Sequence, residues 1–437
     1  MTTFDAQLTR RQWLGGAAVA GAALGWPRWA LAQEAAAWPH VEELIKNYVG
    51  GRKVANMVAP LGFGQAPPTV LADGTLALGG THPANADSLY RWYSMTKPIT
   101  GMAAMILIDE GRLELDQPLF EIIPAFKRMQ VQKVYDGPIA PANLEPAARP
   151  ITIRMLLTHT SGLGYGIIQK GPLFQAFRQR GLLAGMATKL PIADLSVPNP
   201  VHGLEAFTET LAQMPLVYQP GAHWSYSAGL DVMGRVIEVV SGQAFDAFLR
   251  DRIFRPSGMT RTWFQVPGSE ASRLTTNYGI TRDLLVPIDM PANSVFLDPP
   301  PVLLGGAGLV GSPRDYDRFL RMLAGYGAID GKRVMSEAAV RMGTSNLMPD
   351  TVRPVPGGNP IMDVERYGFG AGARVGRGAE AGIYGWAGAA GTIGFVDMRR
   401  SLRGGLFTQY MPAEDYPLDK TFPAAVALDV LSRKAAA

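Results

Sequence analysis

The chain contains no cysteine among its 437 residues. Disulfides, thiolate nucleophiles and cysteine-ligated metal centres are therefore excluded. Histidine is almost as scarce: His40, His82, His159, His202 and His223 are the only five, and none stands in a His-x-x-x-His or His-Glu-x-x-His spacing. The sequence offers no metal site, and none is expected. Charge is also low. Charged residues make up 18% of the chain, the formal net charge is +4 and no basic run occurs, so nucleic acid is not an expected partner. No Gly-x-Ser-x-Gly occurs, which argues against the nucleophile elbow of an α/β-hydrolase.

What is present suits a soluble, globular protein with a large core: 47% hydrophobic residues, 50 glycines and 34 prolines. No internal repeat is visible. The first 32 residues read as an address. Thr9-Arg10-Arg11-Gln12-Trp13-Leu14 leads into a small, apolar run from Gly15 to Gly25, then Ala30-Leu31-Ala32, a small-x-small cleavage site. That run is too short and too glycine-rich for a permanent bilayer span, so no stable membrane insertion is expected. The arginine pair resembles a twin-arginine export signal; the alternative is an ordinary signal peptide with two arginines. Either predicts a periplasmic or secreted protein. Cleavage after Ala32 would remove three arginines and one aspartate and take the charge from +4 to +2.

The chain is organised around Arg91-Trp92-Tyr93-Ser94-Met95-Thr96-Lys97-Pro98-Ile99-Thr100, continuing through Ile108 to Asp109-Glu110-Gly111. From Ile99 to Ile108 every face is apolar or small, which predicts a buried helix. Ser94 and Lys97 are three apart, so one helical turn places hydroxyl and amine on one face. A helix start also carries partial positive charge and favours an anion such as a developing oxyanion. An amine among apolar neighbours is harder to charge, which suits it to take a proton from a hydroxyl. Ser94 is then an activated nucleophile. The competing reading makes Ser94 a helix cap and sends Lys97 to the surface. Ser-x-x-Lys occurs nowhere else in the chain.

Along the rest of the chain, Val41 to Val49 has helical spacing, and Val54–Leu61 and Thr75–Leu78 read as strands with Ala72-Asp73-Gly74 as a turn between them. Gly137 to Pro150 lacks periodicity. Ile151 to Pro256 is mostly helical, including Leu204–Met214, Ala228–Ser241 and Ala244–Phe254. Tyr278–Pro301 reads as irregular. Ser312-Pro313-Arg314-Asp315 opens a helix that runs to Gly325. The tail returns to strands over Tyr367–Val375, Gly391–Asp397 and Arg403–Tyr410, with a closing helix from about Phe422 to Lys434. Strands at both ends imply one sheet built from both termini, with a helical region inserted and the cleft between them as the default site.

Two further stretches look chemical. Pro220-Gly221-Ala222-His223-Trp224-Ser225-Tyr226-Ser227 is a turn delivering a tyrosine before a helix. Tyr226 is a candidate proton relay between Ser94 and a leaving group; the alternative is an aromatic cluster that packs the loop. Gly385-Trp386-Ala387-Gly388-Ala389-Ala390-Gly391-Thr392 precedes a strand, and its small residues allow close approach to a backbone N–H acting as an oxyanion donor. A glycine-rich bulge is the alternative there. His159, in Leu156-Leu157-Thr158-His159-Thr160-Ser161-Gly162-Leu163, tempts a Ser-His reading, although a loop histidine more often makes structural hydrogen bonds.

With Ser-Met-Thr-Lys at Ser94–Lys97, Tyr-Ser at Tyr226–Ser227 and Trp-x-Gly at Trp386–Gly388, the chain resembles the serine β-lactamase and penicillin-binding superfamily, and within it the family VIII carboxylesterases. The stretches Leu156–Leu163, Gly305–Ser312, Asp330–Arg333 and Gly385–Asp397 also stand where such proteins carry them, so the resemblance covers nearly all of the mature chain. It implies an α+β, β-lactamase-like fold: an antiparallel sheet flanked by helices with an all-helical lobe. The domain would span 33–437, with a sheet lobe over about 33–130 and 300–437 and a helical lobe over about 131–299.

The resemblance implies that Ser94 is acylated, that Lys97 and Tyr226 share general base and acid duty in an unsettled order, and that the N–H groups of Ser94 and Ala389 hold the oxyanion. Trp386, Gly388, Tyr93 and Tyr165 are expected to bind substrate, and Tyr135 is a further pocket wall. No cofactor is implied. Similar class C β-lactamases carry Tyr-x-Asn and Lys-Thr-Gly, whereas this chain has Tyr226-Ser227-Ala228 and Trp386-Ala387-Gly388. An ammonium is thus replaced by an indole, which removes a charge-assisted contact and adds an apolar wall. The expected partner is a small-molecule ester, hydrolysed by a serine carboxylesterase. A β-lactamase, an amide hydrolase of the D-alanyl peptidase type, an acyltransferase and a non-catalytic acyl-binding receptor are the alternatives.

Overall fold

The computed structural model describes residues 38–436 except 193, 194, 196, 283, 357–362, 364 and 365, with the side chains of 434–436 also left aside. The signal segment read at 1–32 lies outside the described residues. Helix α1 (Pro39–Gly50) is followed by strands β1 (Asn56–Phe63) and β2 (Thr69–Gly74). Helix α2 (Thr96–Asp109), helix α3 (Gly229–Ser241) and helix α4 (Pro313–Ala324) come next. The tail supplies β3 (Tyr367–Phe369), β4 (Arg374–Gly376), β5 (Ile383–Ala387), β6 (Ile393–Asp397) and β7 (Leu402–Leu406), then helix α5 (Leu418–Ala436).

These seven strands form one sheet in the order β3-β4-β5-β6-β7-β1-β2, antiparallel at every step. The two ends of the chain meet where β1 pairs with β7, Leu61 opposite Gly404. The expected α+β fold, an antiparallel sheet flanked by helices, is the one observed. Successive strand residues point to opposite faces. On β6, Gly394 lies under the Tyr316 ring of α4 while the ring of Phe395 meets Phe422 of α5. The two helices therefore cover opposite faces, which is why β6 and β7 are buried along their whole length.

Three strand readings need correction. The second strand is Thr69–Gly74, not Thr75–Leu78: Ala72-Asp73-Gly74, read as a turn, pairs with Val58-Met57-Asn56. It is an edge strand with exposed residues, so turn-forming side chains cost nothing there. Tyr367–Val375 is a hairpin of two short strands, closed by Gly370 N–H donating to Ala373 O at 2.8 Å. Tyr278–Pro301 is not irregular throughout, because Asn277–Thr281 and Leu284–Asp289 form an antiparallel hairpin. Pro287 within that run hid the strand. The helical reading of Ala244–Phe254 divides into an α-helix, Phe245–Leu249, and a wider-wound turn, Arg250–Phe254.

Helix α2 is buried from Thr96 to Leu107 and packs against α3 and against the short helix Glu337–Gly343. Its approach to the sheet is close. A Cβ at Gly101 would lie 2.1 Å from Ala371 O, so only glycine fits there. The segment leading into α2 is anchored by Arg91, fully buried, whose Nε donates to Asp289 Oδ2 at 2.7 Å and whose Nη1 donates to Thr275 O at 2.7 Å. Breaking one partner of such a pair leaves an uncompensated charge in the core. Asp289→Ala is expected to lower the unfolding free energy by about 3–5 kcal/mol in urea titrations; an unchanged midpoint would show that Arg91 does not hold this segment.

Candidate active site

Ser94 lies on a 3-10 turn, Tyr93–Met95, that runs directly into α2 rather than within the helix itself. The turn starts from Tyr93 at φ +44°, a left-handed conformation that a bulky side chain adopts at a cost. Trp92 N–H donating to Leu309 O and Met95 N–H donating to Trp92 O, each at 3.0 Å, hold it there. No side chain caps the turn or the helix, so the Ser94 hydroxyl is not spent on the helix start.

Two groups converge on Ser94 Oγ instead. Lys97 Nζ donates to it at 3.2 Å and the Tyr226 hydroxyl donates to it at 2.7 Å. Ser94 is 8% exposed, Tyr226 5% and Lys97 0%, so solvent reaches the hydroxyl before it reaches the amine. Lys97 Nζ also donates to Gly306 O at 2.7 Å and stands 4.5 Å from the centre of the Tyr226 ring. The surface-lysine reading is thereby excluded. A hydroxyl held between an amine and a phenol can pass its proton to either as it attacks.

Trp386, on β5, was expected as an apolar wall. It is also a donor: its Nε1–H points to the Tyr226 hydroxyl oxygen at 3.2 Å. The oxygen that faces Ser94 Oγ is thus also an acceptor for the indole N–H. Tyr165 packs edge-on to Tyr226 with ring centres 5.4 Å apart, and its own hydroxyl donates to Ala184 O at 3.2 Å. Burial raises its pKa well above the usual phenol range, with the nearby Asp231 charge adding to the effect. Tyr93 turns into a neighbouring apolar cluster with Phe296 and Ala390, where its hydroxyl accepts from Asn277 Nδ2 at 3.3 Å. Tyr135 accepts from Gln169 Nε2 at 3.1 Å.

Gly388 and Ala389 sit in the turn between β5 and β6. Gly388 N–H donates to Thr392 O at 2.7 Å, and a Cβ on Gly388 would lie 2.3 Å from Trp92 O. The glycine is thus required by the protein's own backbone, two residues ahead of Ser94. The same contact sets the Ala389 turn against the nucleophile segment, and Ala389 packs on the cluster that holds Tyr93.

His159 makes structural contacts. Its Nδ1 accepts from Ser227 N–H at 3.2 Å and lies 2.9 Å from Ser227 Oγ, while its ring packs 4.8 Å from that of Tyr226. Burial, helped by the charge of Lys97, holds its pKa well below the usual histidine range. It is a neutral brace for the Tyr226 loop.

Sequence reasoning missed Asp231 and Gly306. Asp231, on α3, is fully buried and its Oδ1 accepts from Gly306 N–H at 2.7 Å. Burial pushes its carboxyl up to about 6, against the opposing pull of Lys97 and the Gly306 N–H. A lone acid within the apolar run Leu230-Asp231-Val232-Met233, five residues after Tyr226, is the signal that was available. Among the described residues no group of His, Asp or Glu side chains is placed to hold a metal, and no helix is long and apolar enough to cross a membrane.

A sheet flanked by helices, carrying a serine that meets a buried lysine and a tyrosine, places the chain on a β-lactamase-like fold. The chain belongs to the Beta-lactamase family, whose match runs over residues 5–428. It is 34% identical over 268 residues to an uncharacterized protein of Mycobacterium tuberculosis (strain CDC 1551 / Oshkosh), covering 61% of this chain and 62% of the relative. It is 32% identical over 238 residues to the lovastatin esterase of Penicillium rubens, covering 54% of this chain and 50% of that one. The matched stretches thus span less than two thirds of these relatives. Among solved structures, EstCE1, described as a hydrolase with promiscuous acyltransferase activity, superposes with a TM-score of 0.66 at 23% identity, over 85% of this chain and 93% of its own. That likeness concerns the fold.

Trp386→Phe keeps the ring and removes the donor. Losing one such bond to a charge-developing oxygen is expected to lower kcat about tenfold with KM within about twofold, measured on p-nitrophenyl butyrate. An unchanged kcat would reduce Trp386 to a wall.

Proposed function

We propose that the protein is a serine carboxylesterase that hydrolyses short-chain acyl esters through an acyl-enzyme on Ser94. The observation that carries this reading is the convergence of Lys97 Nζ and the Tyr226 hydroxyl on one oxygen, Ser94 Oγ. Ser94 Oγ bonds to the acyl carbon as its proton passes to the Lys97–Tyr226 pair. The tetrahedral oxyanion is received by the N–H groups of Ser94 and Ala389, which the packing of Gly388 on Trp92 supports. The alcohol leaves with the proton the pair held. Water then attacks the acyl carbon as its proton passes to the pair; the Ser94 Oγ–acyl bond breaks, Ser94 Oγ takes that proton from the pair, and the acid is released.

Neutral substrates are favoured because the donor beside the Tyr226 oxygen is an indole and not an ammonium. An anionic substrate would find no charge partner in Trp386. Transfer of the acyl group to an alcohol in place of water is the second reading; it uses the same intermediate, and the description of EstCE1 favours it. Tyr165, packed on Tyr226 and beside Lys97, is the aromatic wall, whereas the Tyr93 ring expected there lies in the neighbouring apolar cluster; Gly388 shapes the turn between β5 and β6.

Steady-state hydrolysis of p-nitrophenyl butyrate tests the reading. The wild type is expected to turn over and Ser94→Ala to lose at least about a thousandfold in kcat/KM. Full activity in Ser94→Ala, or nitrocefin hydrolysed far faster than the ester, would overturn it. We also propose export to the periplasm through the Arg10-Arg11 signal. Replacing both arginines by lysine is expected to leave the protein in the cytoplasmic fraction, and unimpaired periplasmic recovery would favour an ordinary signal peptide.

A further inference from the structure

One glycine residue stands between the proposed catalytic amine and a carboxylate that has had no part in the chemistry. Gly306 O accepts from Lys97 Nζ at 2.7 Å, and Gly306 N–H donates to Asp231 Oδ1 at 2.7 Å. The residue is held at both its polar groups. A Cβ added to Gly306 would lie 2.8 Å from Asp231 Oδ1 and 3.1 Å from Lys97 Nζ. The carboxylate and the amine therefore face each other across the space of a single methyl group, and glycine keeps that space open. Asp231 Oδ2 is buried and has no hydrogen-bond partner. A carboxylate with one free oxygen in a dry core is costly, so its position calls for a reason beyond packing.

We propose that Asp231 is a positioning residue for Lys97: by holding Gly306 it fixes where the amine sits against Ser94 Oγ. This rests on the proposed roles of Ser94 and Lys97. Lys97 Nζ has three donor positions, and Gly306 O and Ser94 Oγ take two of them. Fixing Gly306 O thus fixes the direction in which the remaining reach of the amine points. The other ionisable groups facing this centre are Tyr226 and Tyr165, whose rings lie 4.5 and 5.3 Å from Lys97 Nζ, and His159, which feels the lysine charge and stays neutral. Among these groups Asp231 is the one acid of carboxylate type, so it is the source of negative charge in the cluster.

The test is the rate of Ser94 labelling by a fluorophosphonate probe, per folded protein, in the wild type, Ser94→Ala, Asp231→Asn and Asp231→Ala. Asn keeps an oxygen for the Gly306 N–H, and its labelling rate is expected to stay within about threefold of the wild type. Asp231→Ala removes the acceptor, and its rate is expected to fall at least about tenfold. Asp231→Ala labelling at the wild-type rate, or Asp231→Asn falling at least about tenfold, overturns the proposal, since a residue that acts by holding Gly306 is rescued by the variant that keeps the oxygen. If Asp231→Ala does not fold, Asp231→Asn decides. Failure of the wild type to label at Ser94, or equal labelling of Ser94→Ala, would instead refute the nucleophile assignment on which the proposal stands.

Discussion

A primary amine with no access to water sits at the centre of this protein, and the architecture around it is what makes that possible. Lys97 projects from a helix that is buried from its first residue to its twelfth, so its charge has to be met by groups brought from elsewhere. Gly306 supplies a carbonyl and Ser94 a hydroxyl oxygen, and the rings of Tyr226 and Tyr165 line two further sides. Each comes from a different part of the chain. A buried cation left without such partners would lose its proton or unfold its surroundings. On the proposed reading, that enclosure lets the amine exchange a proton with Ser94 away from bulk water.

The surrounding structure is stiff where that geometry is set. Arg91, three residues ahead of the serine, is clamped by Asp289 and by the Thr275 carbonyl. Trp92 O is covered by the β5–β6 turn at Gly388, and Tyr93 is held in a left-handed conformation. Three consecutive residues before the nucleophile are therefore fixed by three unrelated contacts. His159 braces the tyrosine from its far side. Chemistry that requires a hydroxyl within hydrogen-bond reach of two other groups needs this redundancy, since a displacement of about 1 Å costs orders of magnitude in rate.

Much of this was legible in the residues. The Ser94–Lys97 spacing announced that hydroxyl and amine would meet, and strands at both ends of the chain announced one sheet built from both. Residues that act through local spacing or through a recognisable pattern were found. Those that act through long-range packing were not. Trp386 reads as an apolar residue in sequence, and only its position against Tyr226 reveals the N–H donor. Asp231 reads as one acid on a helix face, and its meaning depends on Gly306, seventy-five residues on. The missed strands have a similar cause. Thr69–Gly74 pairs at an exposed edge, where side chains with turn propensity are tolerated, and Leu284–Asp289 contains a proline; in both, tertiary pairing overrode the local signal.

The join of β1 with β7 brings together residues from opposite ends of the chain, Leu61 beside Gly404. The site depends on it, because β5, which carries Trp386, is tied through β6 and β7 to the strand that precedes the serine. During synthesis the nucleophile is made early and its last partners late. An incomplete chain therefore carries a serine and a lysine but no finished pocket around them. On the proposed reading, the catalytic pocket is completed only by the part of the chain that is made last.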